Sequence, residues 1–247
     1  MPEEIKKVIV VCVSVPAGSN LVAEARKKKE SGLGRLLAEG TLAQGLSVLT
    51  TPAAATATLL TAASSIKHGV EKAGTPCRAE YVWESAQRSS KKTALFGFAV
   101  DRQPEATGPA ADPGAISSFL RTSPDWDLGW VQWGASHGAE SALAEILGVA
   151  DEETLAVVVG LPGEGGAGFF ALAGPGIKKG AVLSRKAKLE DVVPTLCYLA
   201  EICVPADCEG GILYQALEDP DMKIKELRAC RRNYERLKRS TGPSVMC

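Results

Sequence analysis

The chain has 247 residues and a formal net charge of −1, with 45% hydrophobic and 23% charged residues. This composition is typical of a soluble globular protein with a substantial core, built as one large domain or two small ones. A net charge near zero gives no general attraction for polyanions, so we expect no nucleic-acid partner. No apolar stretch approaches the ~20 residues of a membrane-spanning helix, so we expect no transmembrane segment.

The amino terminus is predicted to enter the fold directly. The sequence MPEEIKKVIVVCVSV places acids and lysines before a strand-length apolar run and contains no small-residue cleavage site, which favours a strand at 7–15 over a signal peptide. Seven cysteines are present without a C-x-x-C pair, and Cys12 and Cys197 lie in apolar runs where a free thiol acts as a small hydrophobic group. We therefore expect a reduced, cytoplasmic protein.

The first half of the chain alternates apolar runs with helical patterns. One helix is predicted over 23–40, because Leu33, Leu36 and Leu37 share a face and Gly40 ends the pattern. In chain order the remaining predictions are a strand over 46–49, a helix starting near Thr51, a short helix over 83–88, a strand over 93–100, a linker over 103–114, a helix over 115–121 and a strand over 128–133.

The segment from 154 to 217 has the clearest pattern. The valine-rich run 155–159 is typical of a strand buried on both faces, and the Gly/Pro-dense stretch 160–168 is typical of a loop at its carboxyl end. A second apolar run covers 169–173, and helical spacing covers 191–202. Together with the first half, these patterns predict an α/β fold with a mostly parallel sheet and helices on both faces.

Three motifs in this segment carry a family resemblance. They are Gly174-Pro175-Gly176-Ile177-Lys178-Lys179-Gly180, Asp191-Val192-Val193-Pro194-Thr195 and Glu209-Gly210. Their order resembles the carboxyl-terminal part of the alkaline-phosphatase superfamily, which includes nucleotide pyrophosphatases, sulfatases and cofactor-independent phosphoglycerate mutases. The resemblance implies a three-layer α/β/α domain over 1–217 without a large cap domain, followed by a basic segment over 218–247.

The same alignment places unusual residues where the family binds two metal ions. The Asp after the first strand corresponds to Ser14, and the Asp-His pair of a later strand corresponds to Leu161-Pro162. In Trp133-Gly134-Ala135-Ser136-His137-Gly138, His137 matches a ligand histidine but Trp133 replaces the Asp; Gly165 stands near the other expected histidine. Serine is a poor ligand because its neutral hydroxyl brings no charge to offset the dehydration of a cation. The resemblance therefore implies a scaffold whose metal ligands are largely lost.

The nucleophile of the family corresponds to Pro52 when counted back from His68-Gly69, and to Thr51 after a shift of one residue. A threonine at this place also fits a helix N-cap. His68 matches a turn residue of the family, and His137 alone is more often a hydrogen-bonded structural residue than a ligand.

Two functions follow from these observations. The first is a catalytically inactive, metal-free protein that needs no cofactor and acts as a binding, structural or regulatory subunit, with a protein partner or a second copy. The alternative is a phosphoryl- or sulfuryl-transfer hydrolase or mutase with a non-standard site at Thr51 and His137 that uses zinc or manganese. The chain has only two histidines, whereas the two-metal site of the family needs three, and this favours the first function.

The last segment of the chain is strongly basic. Residues 221–240 contain eight Lys/Arg and three Asp/Glu, with an apolar stripe of Ile224, Leu227, Tyr234 and Leu237. We expect an amphipathic helix that docks this stripe on the core and points its cations outward. The alternative is an arm that contacts a partner or an anionic surface.

Overall fold

The structure is a computed structural model that describes residues 5–15, 20–46, 51–109, 112–134, 139–162, 168–219, 228 and 230–236. Its centre is an eight-stranded sheet. The strands are β1 (Lys7–Val15), β2 (Thr41–Leu46), β3 (Thr93–Phe96), β4 (Ala106–Gly108), β5 (Leu128–Trp133), β6 (Thr154–Pro162), β7 (Gly168–Ala173) and β8 (Ala181–Val182). Their order is β4-β3-β5-β1-β6-β7-β2-β8, and β7 is antiparallel to both of its neighbours while the other pairs are parallel.

The two central strands explain why the sheet is buried on both faces. In β1, Val8, Val10 and Cys12 contribute to one hydrophobic cluster, and Ile9, Val11 and Val13 contribute to the other. In β6 the same alternation divides the valine-rich run between the two faces. Continuous apolar runs of this kind are required where helices cover both sides of a sheet.

Eight α-helices flank the sheet within the described ranges. They are α1 (Leu21–Lys27), α2 (Gly32–Glu39), α3 (Pro52–Thr61), α4 (Ser65–His68), α5 (Val82–Arg88), α6 (Pro113–Thr122), α7 (Ala139–Leu147) and α8 (Val192–Leu199). Residues of α3, α5 and α8 pack in one cluster, and residues of α1, α2, α6 and α7 pack in the other. The three-layer α/β/α architecture with a mostly parallel sheet is therefore confirmed.

Several boundaries differ from those that the sequence predicts. The helix expected over 23–40 is two helices, because Ser31 caps a new helix by accepting a hydrogen bond from the backbone N–H of Gly34. Gly34 is packed so closely that an added Cβ would overlap the carbonyl oxygen of Lys28. The strand predicted over 46–49 lies earlier, over 41–46, and residues 47–50 are outside the described part. The predicted linker contains the short edge strand β4.

Only one residue of the apolar stripe that was predicted to dock on the core, Tyr234, lies in the described part of the chain, and it is not buried. Residues 230–236 are helical and exposed, and Tyr234 has an exposed fraction of 63%. Ile224, Leu227 and Leu237, the rest of the predicted stripe, lie outside the described residues. Within the described ranges, no helix is both long enough and apolar enough to cross a membrane.

Candidate site at the carboxyl edge of the sheet

Parallel pairing brings the predicted ligand positions to one edge of the sheet. Ser14 pairs with Leu161, and Val13 of the same strand pairs with Trp133 on the other side. Pro162 follows Leu161 at the end of β6, opposite Val15. Open α/β sheets place their ligands at the carboxyl ends of strands, so this edge is the candidate site.

Thr51 belongs to the same edge by topology. Strand β7 is antiparallel to both β6 and β2, so β2 runs in the direction of β6 and ends on the same side. Thr51 follows β2 by a few residues and starts α3. The fold therefore places Ser14, Thr51, Trp133 and the end of β6 on the same edge of the sheet. His137 and Gly165 lie outside the described residues.

The side chains at these positions are chemically unlike a cation site. Ser14 is exposed and neutral, and the aliphatic side chain of Leu161 is buried with an exposed fraction of 8%. Trp133 is half-buried, and its indole N–H is buried without an acceptor among the described residues. An indole N–H is a donor only and cannot coordinate a metal ion. Ser14, Trp133 and Leu161 thus supply one neutral oxygen and no negative charge.

Glu140 is a carboxylate near this edge that sequence reasoning missed. It lies in the first turn of α7, and one carboxylate oxygen is buried without a partner among the described residues. The signal was available in the sequence, since an acidic residue in a first helical turn just after His137 faces the positive end of the helix dipole. Glu140 is the candidate anionic group of this region.

Thr51 is the N-cap of α3, with Pro52 at the first helical position. Its hydroxyl oxygen accepts the backbone N–H of Ala54 at 3.2 Å, and its hydroxyl group donates to the carbonyl oxygen of Glu71 at 2.6 Å. Pro at this position pre-sets the helical φ and needs no N–H, which leaves the capping to Thr51. Backbone groups thus engage the hydroxyl proton and one of the two lone pairs of the hydroxyl oxygen.

His68 ends α4 as a structural residue, as predicted. Its ring is buried, and Nδ1 accepts the backbone N–H of Val70 at 3.0 Å while Nε2 lies 3.0 Å from the hydroxyl oxygen of Thr58. An accepting Nδ1 places the proton of the neutral ring on Nε2, which donates to Thr58. Burial lowers the pKa of His68, because desolvation penalises the imidazolium.

The motif beginning at Asp191 builds a buried network. The Asp191 carboxylate accepts the backbone N–H groups of Lys188 at 3.0 Å and Gly211 at 2.8 Å. One turn later, the Thr195 hydroxyl donates to the carbonyl oxygen of Asp191 at 2.7 Å and accepts the N–H of Leu213 at 3.0 Å. We call these five residues the Asp191 network; it ties α8 to the segment that follows it.

The other two family-like motifs also form hydrogen bonds with distant segments of the same chain. The backbone N–H of Lys178 donates to the carbonyl oxygen of Ala216, and Thr41 donates to the carbonyl oxygen of Lys178 at 2.7 Å. Glu209 accepts the N–H of Ser64 at 2.8 Å, and hydrogen bonds from Ser64 lower the pKa of the Glu209 carboxyl. The hydrogen bonds of all three motifs therefore connect segments that are distant in the sequence.

Within the described part of the chain, no group of three or more His, Cys, Asp or Glu side chains is arranged to hold a metal ion. Six cysteines carry free thiols there. Cys12 and Cys197 are buried, and burial raises the pKa of Cys197 to about 12, so these thiols act as core residues.

Comparison with known proteins gives structural matches only. No protein-family model matches the sequence, and a search of curated proteins finds no match. A 2-O GAG sulfatase aligns with a TM-score of 0.64 at 14% identity over 87% of this chain and 74% of its own. The phosphonate monoester hydrolase of Silicibacter pomeroyi gives 0.63 at 10% identity, over 85% and 76% of the two chains. Murine ectonucleotide pyrophosphatase/phosphodiesterase 5 gives 0.59 at 12% identity, over 80% and 96%. Identities this low inform on the fold alone, and on that evidence the chain has the fold of the alkaline-phosphatase superfamily.

Proposed function

We propose that this chain is a catalytically inactive, metal-free protein of the cytoplasm that uses the alkaline-phosphatase-like fold as a binding, structural or regulatory subunit. The observation that carries the proposal is the kind of side chain found at the carboxyl edge. Ser14, Trp133 and Leu161 stand together where a cation site would need carboxylates and imidazoles. A fold shared with hydrolases does not bring their activity to a chain that lacks the site.

The histidine inventory supports the same conclusion. The whole chain has two histidines, and His68 has both ring nitrogens in hydrogen bonds inside the protein. His137 is then the only imidazole left for a metal ion. A pair of ions bridging a phosphoryl or sulfuryl group needs several histidines and aspartates, because each cation takes at least three protein ligands in such sites.

The state of Thr51 also supports an inactive protein. A hydroxyl nucleophile needs a base or a cation to remove its proton. The Thr51 proton points to the carbonyl oxygen of Glu71, which is too weak a base to take it, and the hydroxyl oxygen caps α3. This arrangement stabilises a helix start and offers no activated nucleophile.

A metal-dependent hydrolase is the second candidate, and Glu140 is the observation that favours it. Its buried, unpartnered carboxylate oxygen lies at the start of the helix that follows His137. Glu140 and His137 could contribute two ligands to a single zinc or manganese ion at this edge. Thr51 would then be the nucleophile, and Glu140→Ala would abolish metal binding.

Metal content and ester hydrolysis of the purified chain test the proposal. We expect no stoichiometric zinc, manganese or magnesium by elemental analysis, and no hydrolysis of aryl phosphates or sulfates above background after addition of these metals. Thr51→Ala and the cap-preserving Thr51→Ser should match the wild type in metal content and in background hydrolysis. One tightly held ion per chain, or an activity that Thr51→Ala removes and Thr51→Ser retains in part, would overturn the proposal in favour of the hydrolase.

A further inference from the structure

The helix near the carboxyl terminus presents an arginine face. Arg228, Arg231, Arg232 and Arg236 are exposed, and with Glu235 they border a concavity that no other described residue lines. At 100° per residue, these positions fall within an arc of roughly 140° on the helix surface. None of the four guanidinium groups forms an ion pair with a described residue. The arginine face is therefore a concentrated positive charge, with Glu235 as the one acidic residue beside it in the described part of the chain.

The charge of the chain is divided unevenly. Residues 221–240 hold eight of the 28 Lys/Arg and three of the 29 Asp/Glu, which gives this segment a net charge of +5. The rest of the chain keeps 20 Lys/Arg and 26 Asp/Glu, a net charge of −6. A near-neutral protein thus consists of an acidic body and a basic arm, and this asymmetry favours contact between the arm and an acidic body.

The acidic body contains a cleft that complements the arm. It has a volume of about 790 Å³ and lies at the amino edge of the sheet, where β6 begins and β7 ends. Five acidic residues and two basic ones line it: Glu30, Glu39, Asp151, Glu152 and Glu218 against Arg35 and Lys179. The cleft is at the opposite edge of the sheet from Ser14 and Thr51, so occupying it leaves the candidate site free.

We propose that the arginine face of one copy docks on the acidic cleft of a second copy, making the chain a homo-oligomer held by charge complementarity. The inference rests on the binding role proposed above and names its partner. Guanidinium groups suit the contact because each can donate two parallel hydrogen bonds to one carboxylate. Contacts of an arm with a different surface on the next copy are heterologous and close into a dimer only if the arms are exchanged reciprocally.

A second copy is favoured over an anionic membrane or nucleic acid by the charge of the body. Either polyanion would attract the arm but repel the rest of the chain, whose net charge is −6. A second copy has a net charge of only −1, so its acidic cleft attracts the arm without a comparable overall repulsion. The chain's own cleft is not occupied by the arginine face in the structure, since the residues bordering the two concavities do not overlap.

Sedimentation velocity on the full chain, at several protein concentrations and at about 0.05 M salt, tests the inference. The wild type should associate with increasing concentration and dissociate as salt shortens the Debye length. An arm variant, R228E/R231E/R232E/R236E, should weaken association at least about tenfold, because four attractive contacts become repulsive. A cleft variant, E30K/E39K/E152K, should do the same.

Mixing the two variants is the decisive measurement. The reversed arm fits the reversed cleft, and the two unreversed partners fit each other, so the mixture should associate although neither variant does alone. The control K72E/R185E/K186E reverses three exposed positive charges away from the cleft, the same number as the cleft variant, and should associate like the wild type. Far-UV circular dichroism and melting temperature check that each variant is folded.

Three results would overturn the inference: a wild type that stays monomeric at every concentration, a mixture that fails to associate, or a control as impaired as the arm variant. Anionic lipid vesicles added to the monomeric wild type would then reveal whether the arm binds a membrane. An inactive monomer would contradict only this inference, and a metal-dependent oligomer with hydrolase activity would contradict only the proposed function.

Discussion

The Asp191 network and the carboxyl edge of the sheet both derive from motifs of the same fold, yet they differ in how their side chains are connected. In the network, the Asp191 carboxylate and the Thr195 hydroxyl each bond to two backbone groups, and both side chains are buried. At the carboxyl edge, Ser14 is exposed and the Trp133 indole N–H has no acceptor among the described residues.

This difference in hydrogen bonding indicates which motifs the fold requires for its stability. Asp191 satisfies N–H groups of two segments that are 23 residues apart, so removing it leaves buried donors unpaired. Metal ligands, by contrast, hold a cation and no part of the chain, and their replacement by neutral residues costs the scaffold little. The fold therefore constrains Asp191 and Thr195 through their hydrogen bonds in a way that it does not constrain the exposed side chain of Ser14.

The largest effect is expected for Asp191→Ala. The substitution removes a buried acceptor from Lys188 and Gly211, and a hydrogen bond to a charged group contributes ~1.5–3 kcal/mol. We expect the free energy of unfolding to fall by about 3 kcal/mol, measured by urea denaturation. Glu190→Ala, a neighbouring half-buried acid, is the control and should change stability by about 0.5 kcal/mol. If both substitutions lowered the free energy of unfolding equally, the hydrogen bonds of the network would not explain the importance of Asp191.

Much of this architecture could be predicted from the sequence because burial on both faces leaves a continuous apolar run. The strands β1, β5, β6 and β7 follow that signal. The antiparallel direction of β7 could not be predicted, since an apolar run has no direction. The break between α1 and α2 depends on the Ser31 cap and on a close contact at Gly34, which a periodic pattern does not reveal.

The candidate site was predictable in position but not in contacts. The alignment with the family placed Ser14, Trp133 and Leu161 together, and pairing in the sheet does so. It could not indicate that Thr51 donates to the carbonyl of Glu71, because that contact depends on how a later loop packs. The exposure of Tyr234 was also not predicted. An apolar stripe on a helix indicates that burial would be favourable, but it does not show which surface the helix packs against.

A smaller effect, limited to acidic pH, is expected from His68. Burial lowers the pKa of His68 in the folded protein, so the unfolded chain takes up this proton first as the pH falls below about 6.5. Stability should therefore be fully present above that pH and decline below it, until the folded ring also titrates. Denaturation of the wild type and His68→Gln across pH 5–7 tests this, because both keep His137 and only the wild type has a titratable group at 68. Parallel pH curves for the two proteins would contradict a buried neutral ring.

The Thr51 side chain should contribute about 1 kcal/mol to the free energy of unfolding, which is the usual contribution of a helix N-cap. Thr51→Ala removes the acceptor for Ala54 and the donor to Glu71, and the melting temperature should fall by several degrees. Thr51→Ser retains both contacts and should lie within a few tenths of a kcal/mol of the wild type. If alanine and serine are equally tolerated, the hydroxyl is not a structural cap, and its presence at the carboxyl edge would need another explanation.

The smallest effect is expected at Ser14, in the centre of the carboxyl edge. Its side chain is exposed at the end of β1, so Ser14→Ala should change the free energy of unfolding by no more than about 0.5 kcal/mol. Ser14→Asp should be tolerated as well, because the carboxylate stays in water. It should not create a metal site, since the paired position is Leu161 and the adjacent strand offers Trp133. Isothermal titration of Ser14→Asp with zinc and manganese checks this; micromolar binding absent from the wild type would contradict the expectation and mean that the carboxyl edge lacks only one ligand.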